Sequence, residues 1–268
     1  FILDLILGSS FLLFTCQSPT KEIQEPPKEF EPMGEDRIAK SIIDSVMSVD
    51  TLTLDTVHRD EREITDSLAL LEKRLEGQGL VDVQELSPDI KISLKYATSD
   101  NFLEEDVYYG LRKCYLQPVV AEMLAKAQEI LRKLHPQVSL LVFDGVRPQS
   151  VQFRMWNLVK GTDQQNYVAE PNRGSLHNFG AAVDLGLHHR DTGVLDMGTS
   201  YDYFGALAQP RYEGKFLESG ELSLPQVENR RLLRTVMNRA GFTGILNEWW
   251  HFNAFPKEEI RERFEIVR

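Results

Sequence analysis

Gly174-Ser175-Leu176-His177-Asn178-Phe179-Gly180-Ala181-Ala182-Val183-Asp184 holds two side chains of metal-ligand type at a separation that regular secondary structure explains poorly. A continuous helix would put His177 and Asp184 on one face but roughly 10 Å apart along its axis, too far for one ion. A continuous strand would put them on opposite faces. The workable geometry is a loop carrying His177 that turns at Gly180, followed by a strand over 181–187 that carries Asp184. In that strand Val183, Leu185 and Leu187 point into a core. Ala182, Asp184 and Gly186 share the other face, where small neighbours leave room beside the carboxylate. On these residues alone, a buried aspartate capping a turn beside an unrelated histidine fits equally well.

A third ligand stands near the end of the chain, in Ile245-Leu246-Asn247-Glu248-Trp249-Trp250-His251-Phe252. Two histidines and one aspartate make a three-ligand site with one open position, the arrangement a catalytic zinc needs to hold water. Glu248 supplies a base that is not a ligand, the logic of the helical His-Glu-x-x-His zinc proteases. Here the glutamate precedes its histidine by three residues. A regular strand would turn the two to opposite faces, so a bulge or the end of the strand is expected at the tryptophans.

Ser-x-His-x-x-Gly-x-Ala-x-Asp followed by Glu-Trp-Trp-His resembles the D-Ala-D-Ala dipeptidases, the VanX-like branch of the zinc D,D-peptidases. Tyr96-Ala97-Thr98-Ser99-Asp100-Asn101-Phe102 and Asp144-Gly145-Val146-Arg147-Pro148 are similar to further motifs of that family. So are the stretch from Asp196 to Asp202 and the Asn229-Arg230-Arg231-Leu232-Leu233 helix. The similarity covers roughly residues 80–256, with the motifs in the family's order.

The resemblance implies one α+β domain over 80–268, with a mainly antiparallel sheet, helices packed on one side and a fold shared with hedgehog signalling domains. It implies a single Zn²⁺ on His177, Asp184 and His251, whose water attacks the peptide with Glu248 as base. Arg147 matches the family arginine that stabilises the anionic tetrahedral intermediate, a role suited to a guanidinium that cannot lose its charge. Tyr96 and Asp202 match positions around the substrate's free amino end, and Ser175 is assigned to substrate binding. Asp202 as a helix cap at Tyr203, and Tyr96 as a core residue, stay open. A related murein D,D-carboxypeptidase acting on longer peptides, or a non-catalytic zinc-containing binding lipoprotein, are the alternative readings.

Composition bounds the rest. A length of 268 residues suits one sizeable core with an appendage. The formal net charge of −11 argues against nucleic acid as a partner, because phosphate binding needs a basic face. Two cysteines, Cys16 and Cys114, allow neither a disulfide framework nor a thiolate zinc cluster.

Residues 1–15 form an apolar run too short to span a bilayer and read as the core of a signal peptide whose start is missing. Leu13-Phe14-Thr15-Cys16 resembles a loose lipobox, which makes Cys16 a candidate lipidation site and predicts a membrane-anchored or periplasmic location in the bacterial envelope. A signal cleaved nearby, with Cys16 incidental, is the alternative. Residues 17–58 are read as a largely disordered tether, its first part rich in Pro, Glu, Lys and Gln, with a short helix around 38–46. Ile64, Leu68, Leu71 and Leu75 predict a helix in 59–79 that packs on the domain.

Within the domain, strands are predicted over 80–85, 90–96, 138–143, 181–187 and 242–252. Helices are predicted over 118–134, 148–158, 228–240 and 257–268. Residues 160–173 form a long polar loop that could cover the site. His188 and His189 precede Asp191-Thr192-Gly193 and read as part of a solvated hairpin turn. His58 and His135 are read as surface or core residues without a metal role.

Overall fold

A computed structural model describes residues 67–268 of the chain. The expectations for residues 1–15, Cys16, the tether, His58 and the beginning of the preceding helix lie outside the described residues. Residues 67–77 are helical (α1), with Leu71 and Leu75 buried. There follow β1 (Val81–Asp82), α2 (Val83–Leu86), β2 (Lys91–Ile92), β3 (Tyr115–Leu116), α3 (Pro118–Leu134), β4 (Val138–Asp144) and α4 (Gln149–Val159). The chain continues through β5 (Ala182–His189), β6 (Gly193–Val194), α5 (Glu213–Ser219), α6 (Leu224–Ala240), β7 (Thr243–Gly244), β8 (His251–Asn253) and α7 (Lys257–Arg263). This is an α+β architecture.

Pro118 opens α3 at a position where a missing N–H costs no helical bond. Val120, Leu124, Ala127 and Leu131 then recur on one buried stripe. In α6, Val227, Leu233, Val236, Met237 and Ala240 do the same, and Gly241 ends the helix at φ 107°, a backbone state that suits glycine. The two helices pack on each other, α3 also against β4 and α6 against β5.

The main sheet has the order β2-β4-β5-β8-β7, with β6 paired to β5. Only β2 and β4 run parallel; the other pairings are antiparallel. Val183, Leu185 and Leu187 are fully buried, and Leu185 and Leu187 stand opposite Val142 and Leu140. Gly186, on the other face, lies so close to the Phe143 ring that a Cβ would sit 3.1 Å from it. A side chain there would have to push the ring back by a few tenths of an ångström.

The ladder between β4 and β5 shifts between Val142 and Asp144, so that Asp144 stands opposite Asp184. Strict alternation would give Asp144 the face of Leu140 and Val142. The extra residue turns it instead to the face of Asp184.

Several predicted elements differ from those observed. The 80–85 strand ends at Asp82, whose side chain accepts from Gln84 N at 3.1 Å and starts α2. The 90–96 strand keeps only Lys91 and Ile92 before a 3-10 turn over Lys95–Ala97. The 242–252 strand is two short strands, β7 and β8, separated by the turn that carries Glu248. The helix from residue 257 stops at Arg263, because the chain turns extended and Val267 is buried, donating to Asn178 O at 2.8 Å. His188 and His189 end β5 itself, opposite Ser139 and Val138, rather than lying in the turn after it. His135 is the exposed C-cap of α3.

Candidate metal centre and active site

His177 sits in a 3-10 turn, Leu176–Phe179, that the local sequence closes at both ends. Ser175 Oγ accepts from His177 N at 3.4 Å, and Asn178 Oδ1 accepts from Ser175 N at 2.6 Å. Gly180 ends the turn at φ 63° and hands the chain to β5. The turn is bolted to the Arg147 loop: Arg147 N donates to His177 O at 3.0 Å, and Asn178 Nδ2 to Arg147 O at 2.6 Å.

Asp184 and His251 are directly paired across β5 and β8, so their side chains rise from the same face. Ligand atoms of His177, Asp184 and His251 lie within 4.8 Å of one another. Asp184 Oδ1 is 2.9 Å from His251 Nδ1 and 3.3 Å from His177 Nε2, and the two ring nitrogens are 3.2 Å apart. Four-coordinate zinc, with bonds of about 2.0–2.1 Å, separates its ligands by roughly 3.3 Å.

The outward nitrogens fix the tautomers. His177 Nδ1 meets Gly145 O at 2.8 Å, a partner that can only accept, so Nδ1 carries the hydrogen. His251 Nε2 meets Asn253 Oδ1 at 2.8 Å in the same way. Two imidazole lone pairs and a carboxylate oxygen therefore face one point, and that donor set calls for a cation. Although burial opposes charging, the Asp184 carboxylate raises His251 to about 9. Burial likewise opposes ionisation of Asp184, yet the two histidines hold it below the usual carboxylate range.

Glu248 stands in the turn before β8, where the strand has not yet begun, which removes the facing problem of a regular strand. Burial raises its carboxyl above the ordinary glutamate range, against the opposing influence of His251. Arg147 is buried, with Nε and Nη2 on Asp144 Oδ2 at 3.2 and 2.6 Å, and its guanidinium lies 5.0 Å from the Tyr96 ring centre. Tyr96 OH donates to Asp202 Oδ2 at 2.8 Å. No helix begins at Tyr203; Asp202 instead adopts φ 56°, and burial holds its carboxyl above the usual range.

Two further residues belong to this cluster and were not singled out from the sequence. Asp144 is fully buried, takes Tyr108 OH at 2.7 Å beside Arg147, and lies 3.6 Å from His177 Nδ1. Tyr201 OH donates to Asp184 Oδ2 at 2.9 Å, leaving Oδ1 turned toward the histidines. Burial keeps that phenol protonated. Both lie inside the quoted motifs, which was the available signal.

Residues 76–267 match a family model described as D-ala-D-ala dipeptidase. A D-alanyl-D-alanine dipeptidase of Escherichia coli is 34% identical over 173 residues, covering 65% of this chain and 83% of the relative. One of Enterococcus faecium is 31% identical over 194 residues, covering 65% and 90%. Another, of Streptomyces coelicolor, is 31% identical over 194 residues, covering 66% and 91%.

Proposed function

The chain belongs to the D-ala-D-ala dipeptidase family, and from that premise we propose that it is a zinc-dependent peptidase that hydrolyses D-Ala-D-Ala in the bacterial cell envelope. The observation that carries the reading is the convergence of His177 Nε2, Asp184 Oδ1 and His251 Nδ1 on one point. Two neutral imidazoles and one carboxylate suit zinc, which supplies Lewis acidity that brings the pKa of water to about 7.

Glu248 accepts the proton of the attacking water and delivers it to the leaving amine. Its raised pKa makes it a better base than an ordinary glutamate. Arg147, held charged and oriented by Asp144, directs its remaining N–H groups to the oxyanion that forms at the scissile carbon. Tyr96 and Asp202 receive the substrate's ammonium group. Ser175, whose hydroxyl already caps the His177 turn, borders the same substrate. The packing of α3 and α6 together against β4 and β5 supports the finer reading of the fold, helices on one side of a hedgehog-type sheet.

Purified chain is expected to release D-Ala from D-Ala-D-Ala, to lose that activity on chelation and to regain it with Zn²⁺. Cleavage of a stem pentapeptide but not of the dipeptide would move the reading to a murein carboxypeptidase. Zinc binding without hydrolysis of either would move it to a binding protein.

The envelope location rests on the apolar run 1–15 followed by Cys16, and wall turnover is the process it suits. In a bacterial host, the full gene is expected to yield a membrane-fraction product labelled by a lipid precursor, with the label lost in Cys16→Ala. An unlabelled cytoplasmic product would overturn the location.

A further inference from the structure

We propose that Tyr167 and Phe204 form the wall at the amino end of the substrate and so set the length of peptide that the site accepts. The inference rests on the dipeptidase reading. Tyr167 ends a 3-10 turn, Asp163–Tyr167, within the long segment between α4 and the His177 turn. Its ring is stacked on Phe204, with centroids 3.8 Å apart and planes 12° from parallel. Phe204 follows Asp202 by two residues.

The stack continues inward. Phe102 meets Phe204 edge-on at 5.1 Å and Tyr96 at 6.1 Å, and Tyr96 returns to Asp202 through its hydroxyl. Tyr167 is therefore the outer end of a chain of aromatic side chains that begins at the carboxylate assigned to the ammonium group. The loop carrying it is also fastened to the reaction side of the site. Gln152, fully buried, donates to Ala169 O at 2.7 Å and turns its Oε1 toward Arg147 Nη1 at 3.4 Å.

Core burial does not account for the stack. Tyr167 is 50% exposed, and an aromatic pair of this kind contributes about 0.5–1.5 kcal/mol beyond its buried area. What distinguishes it is its place beside Asp202, which Phe204 follows by two residues. On this proposal a residue added at the amino end of D-Ala-D-Ala extends past Asp202 and meets the two stacked rings. To swing aside, Asp202 would have to give up its hydrogen bond from Tyr96 OH.

The test compares D-Ala-D-Ala with L-Ala-D-Ala-D-Ala as substrates of the zinc-loaded full chain. Tyr167→Ala and Phe204→Leu are expected to raise the tripeptide-to-dipeptide ratio of kcat/KM by about tenfold or more, the scale of discrimination that one small group in a pocket provides. Tyr167→Phe keeps the stack and is expected to keep the wild-type ratio. If wild type is confined to the dipeptide and both truncations are equally confined, the wall is overturned and the dipeptidase reading stands. A wild type that cleaves the tripeptide as readily as the dipeptide overturns the wall alone, and one that cleaves neither overturns both.

Discussion

Glu248→Gln is expected to lower turnover of D-Ala-D-Ala by about 10²–10⁴-fold while leaving the bound metal in place. Glutamine keeps the size and hydrogen-bonding ability of glutamate but cannot take a proton at working pH. The ligand cluster does not include Glu248, so metal content should not change. The reason for an effect at the upper end is burial, which makes this carboxyl a stronger base than an exposed one. Turnover measured beside metal content separates the two roles. A variant of near wild-type rate would remove Glu248 from the chemistry, and one that had lost its metal would make it a ligand.

Arg147→Lys is expected to cost about 10²–10³ in kcat with the fold and metal content preserved. Lysine retains the charge that buried Asp144 requires, whereas alanine would leave that carboxylate unpaired and cost about 3–5 kcal/mol of stability. It does not retain the planar fork that grips Asp144 through two nitrogens, reaches toward Gln152 and lies over Tyr96. The ammonium group would follow Asp144 and leave the oxyanion without its donor. Steady-state kinetics with a parallel melting curve decides the matter: unchanged kcat in a folded variant would assign Arg147 to structure alone.

Much of this arrangement was legible along the chain because it rests on local rules. The period of α3 and its opening proline, the alternation of β5 and the turn at Gly180 all act within a few residues, and each was readable as such. The placement of Asp184 followed from that alternation. Strands of two residues, such as β2 and β7, carry no period to read and exist only through their partners. Asp144 was hidden for a different reason. Strict alternation would put it on the face of Leu140 and Val142, and the shift that reverses its direction comes from pairing with a strand some forty residues later. Tyr201 lacked any signal beyond its motif, since nothing in a sequence tells which tyrosine hydroxyl will find a carboxylate.

The extra residue in β4 lets two successive side chains, Phe143 and Asp144, share the face of Asp184. A substitution at Phe143 leaves the count of residues intact, and with it the direction in which Asp144 points. Deleting Phe143 would restore even spacing and leave the carboxylate opposite Asp184, on the same face, but would remove the ring that lies over Gly186. Phe143 thus sets what lies over Gly186 while Asp144 keeps its contact with Arg147, two tasks on one face of a single strand.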